Sequence, residues 1–258
     1  MTTCDLFITC LIDLFYPDTG EAVVTVLEKH GCQVNFRPAQ ECCGRFALEA
    51  GYVNDAAQQA RQFCDLFADA EIIVVPSAAC AAMIKLEYPR LLPDDPRAAL
   101  LTQRTWELSQ FLVDYLQVKD PAVAYAGKMA YQPACHLLHD LQSAAQAPAL
   151  LGAVKDATLV SWRESEECCG FGGPFALDLP EVSGSILESH VQHLEASGAD
   201  VVVSCDPGCL LHLNGGLSRR GCRAQAVHLA DLLAGRIAPP PQRPPAKAVK
   251  PKLRPRPW

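Results

Sequence analysis

Cysteine is the residue that could do chemistry in this chain. There are thirteen among 258 residues, and two pairs are adjacent. Cys42-Cys43-Gly44 in the first half is answered by Cys168-Cys169-Gly170 in the second. Another cysteine precedes each pair, Cys10 and Cys135, and another follows each after an apolar run, Cys80 and Cys209. The four offsets are 125, 126, 126 and 129 residues. Random placement would not hold that register four times, so the chain reads as an internal duplication. Several thiolates that converge on one point bind soft metals, above all iron–sulfur clusters. The candidate ligands are Cys10, Cys42, Cys43 and Cys80 in the first half, and Cys135, Cys168, Cys169, Cys205 and Cys209 in the second. Adjacent cysteines on an extended strand point apart. A tight turn, permitted by Gly44 or Gly170, could aim both at one cluster. Four cysteines in the first half could equally hold zinc.

Other residues carry weaker signals. Cys4, Cys32, Cys64 and Cys222 have no repeat partner and read as packing residues. His136 follows a candidate ligand and could donate a hydrogen bond or proton there, although a capping or surface role is the simpler reading. No base for an organic substrate can be assigned. The Gly170-Phe171-Gly172-Gly173 stretch lacks the six-residue dinucleotide fingerprint, and no Walker motif or serine nucleophile elbow occurs.

The elements that must position these cysteines alternate between strand and helix. DLFITC, CQVNFRP and EIIVVP read as strands in the first half, with helices at GEAVVTVLEKHG, over 53–68, and from Ala78 onward. The second half repeats the order, with strands at KMAYQPAC, ATLVSW and DVVVS, and helices over 181–197 and after Cys209. This pattern predicts an α/β fold of two tandem homologous domains with mainly parallel sheets. The motif cysteines then fall at strand carboxyl ends, where such sheets place their sites. Residues 97–120 read as a helix and connector. The expected domains are therefore 1–120 and 121–237, with a Pro/Lys/Arg-rich tail over 238–258 expected to be disordered. Cys80 and Cys209 sit near expected helix starts, whose amide donors favour thiolate.

Half of the residues are hydrophobic and a fifth are charged, as in an ordinary globular protein. No apolar run is long enough to span a membrane. The N-terminal segment lacks basic residues and is interrupted by Asp5 and Asp13, which speaks against a signal peptide and predicts a cytoplasmic protein. The net charge is −7, and removing the six Lys and Arg of the tail leaves −13 for the body. An acidic body argues against nucleic-acid binding.

The paired Cys-x31-Cys-Cys-Gly…Cys pattern resembles the cysteine-rich CCG domain of the heterodisulfide reductase B subunit and of the glycolate oxidase iron–sulfur subunit. LFITCLIDLFYPDTGEA, ECCGRFALEAGY, VVPSAACAAMI, CHLLHDL, ECCGFGGPFAL and VVSCDPGCLLHL are more similar to segments of the lactate utilisation protein A family. The resemblance covers residues 4–235. It implies an oxidoreductase subunit of an L-lactate-oxidising complex that transfers electrons. The implied partners are a ferredoxin-type iron–sulfur subunit and a third small subunit. In the reductase relative such motifs hold noncubane [4Fe-4S] clusters, with five cysteines ending in Cys-x-x-Cys. Here Ser77-Ala-Ala-Cys80 has serine at the first of that pair, and Cys205-x-x-x-Cys209 is one residue longer. A [4Fe-4S] cluster, of conventional or noncubane form, is therefore expected in the second domain, and a cluster or zinc in the first. The same resemblance leaves thiol–disulfide chemistry at a noncubane cluster, or a structural zinc module, as rival functions.

Overall fold

The structure, a computed structural model, describes residues 1–163 and 165–238. The basic tail expected to be disordered lies almost wholly outside the described residues.

The first half runs β1 (Thr2–Leu6), α1 (Cys10–Phe15), α2 (Pro17–Lys29), β2 (Cys32–Phe36), α3 (Arg45–Glu49), α4 (Val53–Leu66), β3 (Ile73–Val75) and α5 (Ala78–Ala82). A wider-wound turn over Met83–Glu87 continues α5 into α6 (Tyr88–Leu91); α7 (Pro96–Arg104), β4 (Thr105–Glu107) and α8 (Leu108–Gln110) follow. The second half runs β5 (Ala124–Tyr131), α9 (Gln146–Gly152), β6 (Lys155–Leu159), α10 (Phe175–Asp178), α11 (Pro180–Ser197), β7 (Val201–Ser204), α12 (Pro207–Arg219), β8 (Gln225–His228) and α13 (Leu229–Leu233).

Each half forms a four-stranded sheet, in the orders β2-β1-β3-β4 and β6-β5-β7-β8. Every pairing is parallel. The α/β fold and duplicated topology read from the alternating elements are thus present. The two edge strands β4 and β8 go beyond that reading. Thr105-Trp106-Glu107 is three residues long with one apolar side chain, too short for an alternating pattern to register. It becomes a strand because β3 offers it a parallel edge.

One face of each sheet carries its own core. Phe7, Phe63, Phe67 and Tyr88 fill the first, and Trp162, Leu187, Val191 and Leu213 the second. The opposite faces share a single core. Val23, Val26 and Leu27 of α2 belong to the same buried cluster as Phe111, Met129, Val203, Leu232 and Leu233. The halves are therefore packed together by apolar burial, and their strand carboxyl ends are brought face to face. Polar contacts finish the junction. Ala78 N–H donates to Cys205 O at 3.2 Å, Thr19 Oγ1 donates to Asp231 Oδ2 at 2.8 Å, and a ring nitrogen of buried His228 lies 3.1 Å from Pro76 O.

Candidate metal centre

Each sulfur set is assembled by three chain segments. Cys10 opens α1 just beyond β1, and Cys80 lies in the first turn of α5 just beyond β3. The loop after β2 must fold back to deliver Cys42 and Cys43. Gln40 makes it do so: its Oε1 accepts from Ile8 N at 2.6 Å, and its Nε2 donates to Leu6 O at 3.3 Å. The second half reaches the same end with an amide on the other partner. Gln132, just past β5, donates to Glu167 O at 3.2 Å and so fixes the approach to Cys168. Cys135 follows β5, and Cys209 lies in the first turn of α12.

The Cys-Cys-Gly turns close through left-handed glycines. Gly44 has φ +88° and Gly170 φ +87°. Their N–H groups donate back to Cys42 Sγ at 3.5 Å and Cys168 Sγ at 3.4 Å. A Cβ on Gly170 would lie 3.0 Å from Ser183 O and from Ile186 Cβ, on α11. Gly170→Ala should therefore combine backbone strain with a clash and cost roughly 2–4 kcal/mol. Anaerobic denaturant unfolding would read this, and an unchanged midpoint would contradict it.

The sulfurs gather in two sets. Cys10 Sγ lies 3.6 Å from Cys42 Sγ, and Cys43 Sγ lies 3.3 Å from Cys80 Sγ. Cys169 Sγ lies 3.0 Å from Cys209 Sγ, and Cys135 neighbours Cys168. Thiols that donate to Cys42 and Cys168, from Cys10 and Cys43 and from Cys135 and Cys169, hold these two well below the ordinary thiol range. The donors Cys10, Cys43, Cys135 and Cys169 are pushed up by those same bonds and by burial. In each set one thiol is thereby the easiest to deprotonate, and the remaining protons leave as further sulfurs bind a cation.

Both sets face one cavity of about 120 Å³ between the halves. Its walls include Cys10, Cys43 and Cys80 from the first set and Cys135, Cys168, Cys169 and Cys209 from the second. Cys42 sits behind Cys10 and borders an outer cleft with it. Cys205 is placed differently. Its side chain is fully buried, outside the cavity wall, with Tyr131, Ser109 and Glu107 as neighbours. The repeat register explains this, since Cys205 stands 129 residues beyond Pro76, a position without sulfur. Of the cysteines without a repeat partner, Cys4, Cys32 and Cys64 lie in the cores and Cys222 is half-buried.

Glu107, beside Cys205, is wholly buried. Its Oε2 accepts from Ser109 N at 2.8 Å and Gln110 N at 3.3 Å, but its Oε1 has no partner. Burial pushes its pKa from 4.5 up to about 7. The folded chain therefore holds this proton where the unfolded chain has lost it. Stability from this group is complete below pH 4.5 and should fall by about 3 kcal/mol as pH rises to about 7. Glu107→Gln should flatten that slope in unfolding curves taken between pH 4.5 and 7.5.

Asp206 ties the two sets together. It is 6% exposed. Its Oδ1 accepts from Gly208 N at 3.0 Å and caps its own helix α12. Its Oδ2 accepts from Ala79 N at 2.9 Å and Ser77 Oγ at 3.1 Å, across the junction. Ser77 Oγ in turn accepts from Cys80 N at 3.3 Å. One carboxylate thus serves the helix starts that carry Cys80 and Cys209.

Thr9, Arg45, Phe46, Glu49, His136 and Phe171 complete much of the wall. Thr9 holds φ +70°, a conformation that strains a β-branched residue by about 1–3 kcal/mol. No motif marks Thr9 or Arg45, and only their position next to cysteines could have drawn attention to them.

A cysteine-rich CCG domain model matches the chain twice, over residues 4–85 and 129–214. The chain is 42% identical over 232 residues to lactate utilization protein A of Shouchella clausii, covering 88% of this chain and 97% of the relative. It is 41% identical over 236 residues to the protein of that name from Geobacillus kaustophilus, covering 90% and 98%. The chain belongs to the lactate utilization protein A family. A hypothetical protein from Helicobacter pylori shares the fold at TM-score 0.61 and 14% identity, with 90% of this chain and 48% of that one covered. Membership makes the two sulfur sets of this lactate utilization protein A relative the CCG motifs themselves. Cysteine-rich domains of this kind suggest metal or iron–sulfur binding. Among the described residues no helix is long and apolar enough to cross a membrane.

Proposed function

We propose that this chain is an iron–sulfur oxidoreductase subunit of a cytoplasmic lactate-oxidising complex, in which each sulfur set holds one cluster. The observation that carries the reading is that seven cysteines from the two sets line one cavity between the halves, with Cys42 Sγ 3.6 Å from Cys10 Sγ beside it. The donor set is all sulfur, which suits iron–sulfur clusters and also zinc. Among the described residues no three His, Cys, Asp or Glu side chains stand close enough to hold a single metal ion. Sulfur pairs arranged around a cavity suit a body of several irons and sulfides better than one zinc. Cys10, Cys42, Cys43 and Cys80 would hold one cluster, and Cys135, Cys168, Cys169 and Cys209 the other. When bound, such clusters accept and release single electrons.

The chain's own groups do the rest. The amides of Gly44 and Gly170 donate to sulfur and stabilise its negative charge. Packing of the halves keeps bulk water from Cys43, Cys80, Cys169 and Cys209, each at most 9% exposed, while Cys10, Cys42 and Cys135 are half-buried and Cys168 is exposed. Electrons would pass to a ferredoxin-type iron–sulfur partner, with a third small subunit completing the complex. Anaerobic purification of the full chain tests the reading through iron, acid-labile sulfide and spin resonance. Brown protein with iron and sulfide in equal amounts is the expected result. Colourless protein carrying zinc would overturn it.

A further inference from the structure

Three exposed apolar side chains form a strip on the first half. Leu14 and Phe15 end α1, Phe36 ends β2, and each is more than half exposed. α1 borders two depressions. Leu14 and Phe36 line the outer cleft together with Pro38, Asp13 and Glu41, and Cys10 and Cys42 form part of its wall. Phe15 lines a groove of about 380 Å³ with Tyr16, Pro17, Asp18 and Asp231. The second half has no counterpart to the strip. At the 125-residue offset of Cys10 and Cys135, Leu14 corresponds to His139, Phe15 to Asp140 and Phe36 to Ser161. That half presents the same sulfur set with polar residues at these places, so holding sulfur does not explain the strip. Exposed apolar side chains gathered beside clefts mark an interaction surface.

The chain itself supplies an occupant. Arg236 and Ile237, near the last described residue, form part of the groove wall. The sequence that follows opens with Pro239-Pro240-Pro241 and carries Arg243, Lys247, Lys250, Lys252, Arg254 and Arg256 with no acid. Asp13, Asp18 and Glu41 along the strip are exposed acids. Arg236, the cation of the groove wall, is turned to Asp18 O at 2.7 Å and to Glu21 Oε2 at 3.5 Å, so the Asp18 carboxylate is left for another partner. Charge is therefore complementary between strip and tail. Proline-rich chain favours the extended polyproline form, which docks on aromatic-lined grooves at a small cost in entropy. In that form the chain from Ile237 to Arg243 spans roughly 19 Å, at about 3.1 Å per residue. α1 is six residues long, about 9 Å. The cations from Arg243 onward are thus within reach of the cleft on the other side of α1.

We propose that the strip is the docking surface for residues 239–258 of the same molecule, which cross α1 from the groove at Ile237 to the cleft at Cys10 and Cys42. The prolines pack on Phe15 and Leu14, and the lysines and arginines meet Asp18, Asp13 and Glu41. Docked there, the tail covers the outer approach to Cys10 and Cys42. The tail has too few apolar residues to fold alone, so it borrows the apolar surface of the body. Tethering makes a weak contact sufficient. At an effective concentration of about 1 mM, a contact with a dissociation constant near 1 mM is about half occupied. Salt screens the charged part of the contact and weakens it. The docking is the same whether iron or zinc fills the first sulfur set.

Carbodiimide joins a lysine to a carboxylate only where the two touch, and mass spectrometry of the anaerobic full chain then reads which acids the tail meets. Lys247, Lys250 and Lys252 should join Asp13, Asp18 or Glu41 within one molecule. The yield should fall about fivefold when salt is raised to about 1 M. Hydrogen exchange gives a second reading on the full chain. The amides of α1 should exchange about twofold faster when Lys247→Glu, Lys250→Glu and Lys252→Glu are combined, as loss of a half-occupied cover requires. These substitutions lie outside both cores and leave the folding of the body untouched. Joins to acids elsewhere, such as Glu188 and Glu195 on α11, would overturn this placement. Joins formed only between two chains would overturn it as well, and would mark a second copy as the occupant. Equal exchange of the α1 amides in the two proteins would do the same.

Discussion

Cys168→Ser should lower iron and acid-labile sulfide in the anaerobic full chain to about half of the wild-type amount. Cys42→Ser should do the same, and the double variant should bring both close to zero. The reason is geometric. The short sulfur contacts stay within each half: Cys10 to Cys42 at 3.6 Å and Cys43 to Cys80 at 3.3 Å in the first, and Cys169 to Cys209 at 3.0 Å in the second. Each set is therefore a separate ligand group, although both face the same cavity. Serine offers a harder oxygen ligand, and at Cys168 it would also forfeit the thiolate held there by Cys135, Cys169 and Gly170. The shared cavity adds a second expectation. Two paramagnetic groups this close should couple, so the spin-resonance spectrum of each single variant should differ from a simple half of the wild-type spectrum. Loss of all iron in either single variant would show that the sets form one site.

Asp206→Ala should lower stability by about 3–5 kcal/mol, a fall of roughly 6–20 °C in the unfolding midpoint for a chain of this size. Two helix-start amides, Ala79 N and Gly208 N, and the Ser77 hydroxyl would lose their acceptor together inside a nearly sealed junction. Hydrogen bonds to a charged acceptor are worth about 1.5–3 kcal/mol each, and buried donors left unpaired add a desolvation cost. Asp206→Asn keeps one carbonyl oxygen and should recover part of the loss. The loss should also reach the metal, because the same carboxylate steadies the helix starts of Cys80 and Cys209. Scanning calorimetry with iron content on the same samples would check both. A midpoint within 2 °C of wild type would mean that Asp206 contributes little to holding the junction.

Much of this was written in one dimension. The register of Cys10, Cys42, Cys43 and Cys80 against Cys135, Cys168, Cys169 and Cys209 required a duplication, and alternating strand and helix signals required parallel sheets. Those inferences rest on local periodicity and on spacing, which folding does not alter. The turn glycines were legible for the same reason, since a tight Cys-Cys-Gly turn needs a left-handed residue whatever surrounds it. Cys205 and the cavity were not legible. From spacing alone Cys205 belonged with Cys209, yet Cys205 lies between β7 and α12 and is buried beside Tyr131 and Glu107, whereas Cys209 in the first turn of α12 lines the cavity. That the two sulfur sets share one cavity depends on how the apolar faces of two sheets pack, a contact between residues more than a hundred positions apart. The bridging role of Asp206 follows from that packing. Sequence determined which atoms are available for chemistry, and burial of the shared core decided which of them meet.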